Sequence, residues 1–573
     1  MPSRTTTQTQ TRTSRRVSTR NQSVPPGHVA ASAGTKRKAA DATDSEGEKP
    51  AAKRGKRAQS AAPVPSKSRS VRSNLNGAAG AAAVARTALN KLPLPASHPR
   101  PSRRLLIFGS GDMGQLGLGT ETLDEITRPR IHAWFEENVE KGTLGGDGAG
   151  VEAAWAGGMH SLVIDEAGKV WSWGINDNAA LGRPTVDVPL PDKEGGIYEQ
   201  EVLETQPMVV QSLHDAGFRA IQVAAGDSIS VALSDKGDLR AWGSFRSSDG
   251  LLGFSSSETA SKTQFEPMEI PGLNKYQFVS VACGADHVMA LTTTGHVWVW
   301  GNGQQAQLGR RIIERRKLNA LVPERLALRK IVLIGSGMYH SFAQDANGVV
   351  YAWGLNSLRQ TGIDPADGGD DDIIWSPTEV AALNPKNLGG GRRVVQISGG
   401  EHHSLFLLSD GSVMGCGRTD DGQVGLSADH PIMRDLAERK AERAKLLAED
   451  PTKELAVVEE LVPVPTLIRF PPPPSVDDAK PALPPYSADD EGKAPANPIA
   501  QVSAGTRHNL AVSRSGHAYS WGTGENSQLG LGPDVATQLT PIRIANKALD
   551  SGFKVEFASS GGQHCILLAV KPA

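Results

Sequence analysis

The sequence predicts an all-β protein, a seven-bladed β-propeller whose ring is closed by pairing between its N-terminal and C-terminal strands. Glycine and proline are abundant, with 62 and 37 residues among 573, and only 5% of the chain is aromatic. This composition favours short strands and turns over long helices. Two different short motifs each recur seven times, and their order along the chain splits one blade between the two ends.

The first motif is an aromatic or apolar residue followed by glycine, often with a Gln-Leu-Gly turn behind it. Its seven copies are Phe108-Gly109, Trp173-Gly174, Trp242-Gly243, Trp300-Gly301, Trp353-Gly354, Cys416-Gly417 and Trp521-Gly522. Successive copies lie 53 to 69 residues apart, except the last two, which lie 105 residues apart. Repeats of this length are typical of propellers and solenoids. We interpret the repeated tryptophans as blade-packing residues rather than as a ligand platform.

The second motif is a small residue, a glycine, two variable residues and a histidine. Its copies begin at Ala156, Ala225, Cys283, Ser336, Gly399, Ala504 and Ser560. The alternating runs and short turn that follow each copy predict a β-hairpin. Because the chain begins with the first motif and ends with the second, residues 105–108 should pair with the C-terminal strand and remove two open sheet edges.

The histidines of the second motif are expected to be framework groups that hydrogen-bond blade backbone, with a metal or catalytic role as the weaker alternative. They are His160, His287, His340, His403, His508 and His564. The second copy has Ile229 in place of the histidine. We expect no metal and no cofactor. The three cysteines, Cys283, Cys416 and Cys565, lie too far apart in sequence to indicate a zinc site or a disulfide framework.

Charge divides the chain into a basic tail and an acidic body. Residues 1–104 hold 21 Lys+Arg and 4 Asp+Glu, which leaves 61 − 21 = 40 basic and 62 − 4 = 58 acidic residues beyond them. The tail is poor in aromatic residues and is predicted to be disordered. Its charge predicts salt-dependent DNA binding without sequence preference. No apolar stretch approaches a membrane span, so we expect a soluble intracellular protein.

Two basic clusters in the tail, separated by 14 residues, predict a two-part signal for a nuclear import receptor, with a generic solvated linker as the alternative. Their residues are Lys36, Arg37, Lys38, Lys53, Arg54, Lys56 and Arg57.

Several motifs together resemble the regulator of chromosome condensation family, and the likeness spans residues 105–570. They include Gly111-Asp112-Met113-Gly114-Gln115-Leu116-Gly117 and Gly399-Gly400-Glu401-His402-His403-Ser404, and they occur in the family's order. The resemblance is to a fungal member. It implies a chromatin-bound, nuclear guanine-nucleotide exchange factor for the Ran GTPase, which promotes GDP release without covalent chemistry. It also implies GTPase contacts at Asp112, Asp227, Asp286, Arg310 and His402.

Three of these residues fill variable positions of the second motif, where a copy departs from the repeat. Asp227 lies in the second copy, Asp286 in the third and His402 in the fifth. Equivalent loops of a propeller gather on one face around the channel, so these side chains should converge. The alternative is that they only cap turns.

The segment after Trp242-Gly243 is irregular and resembles the family's β-wedge. It comprises Phe245, Arg246, Ser247, Ser248, Asp249, Gly250, Leu251 and Leu252. We expect a projecting apolar tip that inserts beside the phosphate-binding loop of a GTPase.

Residues 310–330 hold eight basic residues against two acidic ones. They resemble the family's loop that contacts core histones, and they predict a histone or DNA contact at Arg311, Arg315, Arg316 and Lys317. Residues 428–498 form a charged, proline-rich insertion in the propeller of residues 105–573, with one or two helices expected before its proline-rich part.

Two other functions were compared with exchange. A chromatin-bound propeller scaffold without exchange activity remains possible from the sequence, although Asp227, Asp286 and His402 favour exchange. A photoreceptor related to this family would need tryptophan clusters in its Gly-x-x-His loops. Here the corresponding positions hold other residues, among them Met159 and Asp227, which argues against light sensing.

Overall fold

A computed structural model describes residues 88–571, except 97, 99, 191–194, 258, 476–477, 479–480 and 491. The predicted import-signal residues lie outside this part of the chain. Seven four-stranded antiparallel sheets form the blades of a propeller, and their innermost strands contact one another in a closed ring. The predicted fold class is confirmed.

We number the blades in chain order, with the split blade as blade 7, and give the strands of each blade from the channel outwards. Blade 1 holds Val151–Ala156, His160–Asp165, Val170–Gly174 and Met208–Val209. Blade 2 holds Ala220–Ala225, Ile229–Ser234, Leu239–Gly243 and Gln264–Met268. Blade 3 holds Phe278–Cys283, His287–Thr292, Val297–Gly301 and Glu324–Arg325. Blade 4 holds Ile331–Ser336, His340–Asp345, Val350–Leu355 and Ile373–Glu379.

The remaining blades follow the same order from the channel outwards. Blade 5 holds Val394–Gly399, His403–Leu408, Val413–Arg418 and Leu461–Ile468. Blade 6 holds Ile499–Ala504, His508–Ser513, Ala518–Thr523 and Thr537–Arg543. Blade 7 holds Lys554–Ser560, His564–Val570, Arg104–Gly109 and Ile126–Ile131.

Blade 7 closes the ring as the order of motifs predicts. Its third strand comes from the start of the propeller and pairs antiparallel with the last strand of the chain, with Leu105 opposite Leu568 and Phe108 opposite Cys565. The pairing removes two open sheet edges. The paired residues are also buried, so the same strands contribute to the apolar core of the blade.

Helices are short and lie between strands. The α-helices are Ala133–Glu140, Gln200–Thr205, Gln211–Asp215, Pro385–Leu388, Pro431–Glu449 and Lys547–Asp550. The 3₁₀ helices are Asp177–Ala179, Glu314–Leu321, Pro365–Asp367, Ala381–Leu383 and Ala488–Asp490. Within the described residues, none of the helices combines the length and apolarity that crossing a bilayer requires.

The segment 428–498 contains both an addition and a part of the propeller. The helix Pro431–Glu449 begins at a proline and is capped by Asp450, just before a second proline. After it the chain supplies Leu461–Ile468, the outer strand of blade 5. The extra residues therefore interrupt blade 5 on both sides of that strand.

Buried histidines join neighbouring blades. At six junctions the histidine Nε2 lies 2.7–3.2 Å from a side-chain oxygen or sulfur of the next blade. The pairs are His160–Ser230, His287–Ser341, His340–Ser404, His403–Asn509, His508–Cys565 and His564–Ser161. The expectation of backbone partners is wrong, because the strand backbone there is already paired within the sheet.

These hydrogen bonds continue into the turns that follow the third strands. Each partner side chain also donates to a carbonyl of the preceding blade's turn, as Ser161 does to Gln115 and Ser341 to Gln307. Since the hydroxyl hydrogen is used there, the histidine must donate from Nε2. The indole nitrogens of Trp173 and others reach the same carbonyls, and these tryptophans are fully buried, which confirms their packing role.

A strap formed by the described residues of 88–103 crosses the end of the propeller opposite the Gly-x-x-His turns. Asn90 makes three hydrogen bonds of 2.9–3.0 Å to backbone of blades 3 and 4. Leu92 lies against a turn of blade 2, and Arg100 pairs with Glu166 of blade 1 at 2.9 Å. The part of the predicted tail that adjoins the first strand is thus attached to the propeller.

Candidate functional site

The seven Gly-x-x-His turns form a ring around one end of the channel, which we call the turn face. Backbone hydrogen bonds of 2.9–3.2 Å join neighbouring turns at six junctions. For example, the Asp227 amide donates to the Ala285 carbonyl, and the Ala285 amide donates to Met338. This ring fixes the variable residues of adjacent blades close together. The turns after the third strands open onto the same face, because the second and third strands of each blade are antiparallel.

Asp227 and Asp286 lie on two adjacent turns, close enough for the charge of one carboxyl group to act on the other. Burial raises the pKa of the Asp227 carboxyl, with the charge of Glu401 adding to the effect and Arg246 opposing it. Burial and the charge of Asp227 raise the pKa of Asp286 to about 8. The two carboxyl groups therefore share one poorly solvated region, where a second negative charge is unfavourable.

His402 belongs to the same cluster through its neighbour Glu401. The imidazole Nδ1 lies 3.7 Å from the Glu401 carboxylate. Burial opposes ionisation of Glu401, but His402, Arg507 and Arg418 outweigh it and hold the Glu401 pKa below its ordinary value. Burial and the surrounding charges of Asp227 and Glu401 raise the pKa of Tyr339.

Glu401 and Tyr339 were not predicted from the sequence as members of this cluster. Both occupy variable positions of a Gly-x-x-His turn, as Asp227 and Asp286 do. The same criterion, a charged or large polar residue in a variable position, could have found them. The structure thus brings together three of the predicted contacts, Asp227, Asp286 and His402, with two further polar groups.

The predicted wedge is a β-hairpin. Strands Phe245–Ser247 and Gly250–Gly253 pair antiparallel as a separate two-stranded sheet, which we call the wedge hairpin. The Arg246 amide donates to Asp286 Oδ1 at 2.7 Å, so a carboxyl group predicted to touch the GTPase holds the base of this hairpin. Asp286 is only 9% exposed.

The expectation of an apolar tip on this hairpin is wrong. Phe245 is fully buried and Leu252 is 6% exposed, because both belong to the apolar core between blades 2 and 3. The exposed tip consists of Ser248, Asp249 and Gly250, while Leu251 is half-buried. The apolar residues anchor the hairpin, and its polar residues project.

The basic segment 310–330 lies beside the wedge hairpin. Arg311, Arg315 and Arg316 are exposed. Lys317 is half-buried, and its ammonium lies 2.5 Å from the Asp249 carboxylate. Lys317 therefore connects the basic segment to the hairpin tip, whereas the three arginines are available to a partner.

The other two predicted contacts lie apart from the cluster. Asp112 is exposed in the turn after the first strand, where it accepts hydrogen bonds from Ser110 and from Gln115. Arg310 pairs with Glu324 at 2.9 Å and donates to the backbone carbonyls of residues 319, 320 and 322. Its guanidinium group is engaged within blade 3.

Within the described part of the chain, three or more His, Cys, Asp or Glu side chains are nowhere grouped so that they could hold a metal ion. Cys283, Cys416 and Cys565 are free thiols, and burial raises their pKa.

Comparison with known proteins assigns the chain to a family. A model described as the RCC1-like domain matches residues 104–567. Protein pim1 of Schizosaccharomyces pombe is 37% identical over 85% of this chain and 77% of its own length. Guanine nucleotide exchange factor SRM1 of Saccharomyces cerevisiae is 33% identical over 82% of this chain and 87% of its own length.

A solved structure gives the same result. The crystal structure of Prp20p from Saccharomyces cerevisiae, described with its binding properties to Gsp1p and histones, superposes with a TM-score of 0.65 at 31% identity. The match covers 83% of this chain and 93% of that one. This chain therefore belongs to the RCC1-like family, that of the regulator of chromosome condensation.

Proposed function

We propose that this protein is a chromatin-bound guanine-nucleotide exchange factor for the nuclear GTPase Ran. The observation that carries the proposal is the wedge hairpin, which projects beside the cluster of Asp227, Glu401 and His402 on one face. A relative that is 33% identical is named a guanine nucleotide exchange factor. The arrangement offers a charged surface that can hold a GTPase and a rigid projection that can displace its nucleotide.

Exchange requires differential binding rather than covalent chemistry. The protein binds the nucleotide-free GTPase more tightly than the loaded form, so by reciprocity it weakens nucleotide binding. Asp227, His402 and Asp112 contact basic and polar groups of the GTPase. The poorly solvated pair of Asp227 and Asp286 favours a cationic partner, since a nearby positive charge stabilises the ionised form of both carboxyl groups.

The polar tip of the wedge hairpin acts at the phosphates. Ser248 and Asp249 offer hydrogen-bonding groups, and a carboxylate beside a phosphate-binding loop competes with phosphate oxygens for that loop's donors. For Asp249 to act in this way, its ion pair with Lys317 must open. Arg310 supports the basic segment from within, because its guanidinium group pairs with Glu324.

Chromatin contact involves other residues. Arg311, Arg315 and Arg316 bind acidic histone surface or DNA, with Lys317 at the border of that surface. The N-terminal tail binds DNA through screened attraction. Its two basic clusters bind a nuclear import receptor, which delivers the protein to the nucleus. The relative Prp20 has been solved bound to Kap60.

The test is release of a fluorescent guanine nucleotide from purified Ran. We expect substoichiometric amounts of this protein to accelerate release in the presence of excess GDP or GTP. Release at the intrinsic rate, with intact binding to nucleosomes, would identify a propeller scaffold instead. An unfolded preparation is recognised by its lack of a cooperative thermal transition.

A further inference from the structure

One blade junction lacks the histidine bond that joins the others. Between blades 2 and 3 the histidine position holds Ile229, and the position of its hydroxyl partner holds Val288. Both side chains are fully buried. A lone histidine or hydroxyl here would leave a buried polar group unpaired, so the two replacements belong together.

The turn that would complete this junction is also replaced. At the other junctions the partner side chain donates to a backbone carbonyl of the turn after the third strand, as Ser161 does to Gln115. After blade 2 the chain forms the wedge hairpin at this place. Within the described residues, the Trp300 indole finds no hydrogen-bond acceptor, whereas Trp353 donates to Gln307 at 2.9 Å.

Phe245 occupies the space that these replacements leave. Its fully buried ring lies in one apolar cluster with Ile229, Val288 and Trp300. A ring carbon would lie 2.8 Å from a Cβ placed on Gly301, so the ring rests directly on the backbone of blade 3. At this junction an apolar contact therefore replaces the hydrogen bond. We call the surface that Ile229 and Val288 form beneath the Phe245 ring the apolar seat.

The seat lies at the base of the wedge hairpin. The residue before Phe245 donates its amide to the Ser228 carbonyl at 2.9 Å, and the residue after it donates to Asp286 at 2.7 Å. Between these bonds the Phe245 side chain, together with Leu252 on the second strand, anchors the hairpin in the apolar core between blades 2 and 3. Its position sets the direction in which the hairpin leaves the turn face.

We infer that Ile229 and Val288 are positioning residues for nucleotide exchange: they form the apolar seat that orients the wedge hairpin through Phe245. The inference rests on the proposed function, because it assigns the hairpin its role there. Neither residue touches the GTPase.

The test restores the usual junction with the double variant Ile229→His/Val288→Ser. The new pair places polar atoms where the Phe245 ring packs, so the hairpin should lose its fixed direction. We expect kcat for nucleotide release to fall about tenfold or more, since displaced groups lose their alignment, while KM for Ran·GDP changes less. Hydrogen–deuterium exchange of amides 246–252 should become faster in the free protein.

Two controls separate orientation from general stability. His564→Ile/Ser161→Val makes the opposite exchange at the junction of blades 7 and 1, and it should lower Tm without changing kcat. Ile229→Val keeps the seat apolar and should retain most activity. If the double variant does not fold, Val288→Ser alone is assayed in the same way.

Normal kcat with unchanged protection of the hairpin amides would overturn the inference. The inference would also be overturned if both double variants lost kcat in proportion to their decrease in Tm, because the loss would then reflect general stability. If the wild-type protein does not accelerate nucleotide release from Ran, the proposed function fails. Hydrogen–deuterium exchange of amides 246–252 then still tests whether the apolar seat orients the hairpin.

Discussion

Replacing Asp286 in two ways distinguishes a group that positions the wedge hairpin from one that contacts the GTPase. Its Oδ1 accepts the Arg246 amide at 2.7 Å, and only 9% of the residue is exposed. Asp286→Ala removes the acceptor of this part-buried hydrogen bond, which costs about 1–3 kcal/mol. That free energy corresponds to roughly 5- to 150-fold in the equilibrium constant between the ordered and the displaced hairpin, which is the upper range for the loss of exchange.

Asp286→Asn retains an acceptor oxygen and removes only the charge. The pKa of Asp286 is raised to about 8, so the neutral form predominates at pH 7 and asparagine resembles it. We therefore expect nucleotide release to fall within the range above for alanine and to change less than about threefold, well under 1 kcal/mol, for asparagine.

The assay is nucleotide release from Ran at pH 7, with kcat and KM measured for both variants. Thermal unfolding of each variant serves as the control for folding. Equal losses of kcat for alanine and asparagine would refute the reasoning, because they would show that the charge of Asp286, and not its hydrogen bond to the hairpin, is what exchange needs.

Three further predictions follow from the fold and the site. Deleting residues 1–87 should leave Tm unchanged, whereas deleting residues 1–100 should lower the free energy of unfolding by about 3 kcal/mol, because the three hydrogen bonds of Asn90 are lost. Equal Tm values for the two deletions would show that the strap does not stabilise the propeller. Asp227→Ala should slow release with nucleosome affinity intact, and Arg315→Ala/Arg316→Ala should do the reverse; parallel losses would contradict separate surfaces. Burial lowers the pKa of all six junction histidines, for example to about 4 for His160 and to about 3 for His508, so the unfolded chain binds these protons first. The raised pKa values of Asp227 and Asp286 act in the opposite direction but involve fewer groups, so stability should fall as pH drops below about 6.5. A constant Tm from pH 7 to 5 would contradict this.

The repeats made the architecture predictable, because each copy marks the same turn in a different blade. Seven copies of two motifs give the number of blades, and their order gives the closure of Leu105 against Leu568. The side-chain partners of the histidines could not be predicted. They lie one blade away, and the hydroxyl, amide or thiol that accepts each histidine is recognisable only once the blades are placed side by side.

The site was predictable where a copy departs from its repeat, and less so where packing decides. Asp227 and His402 stand out in variable positions. The direction of the Phe245 side chain cannot be predicted in this way, since an aromatic residue in an irregular segment can either project into solvent or pack into the core. The gap left by Ile229 and Val288 decides between these, and it arises from residues 59 positions apart.

The strap shows a similar limit. Composition assigns residues 88–103 to a basic tail, and hydrophobic periodicity is too weak there to indicate packing. Asn90 attaches through its amide to backbone carbonyls of blades 3 and 4, and such contacts leave no pattern in the sequence.

Hydrogen–deuterium exchange of the complex with nucleotide-free Ran tests most directly which surface performs exchange. We predict new protection of the wedge hairpin and of the turns that carry Asp227 and His402, with the strap of residues 88–103 unaffected. Protection confined to the strap and its end of the propeller, with the turn face unchanged, would contradict it.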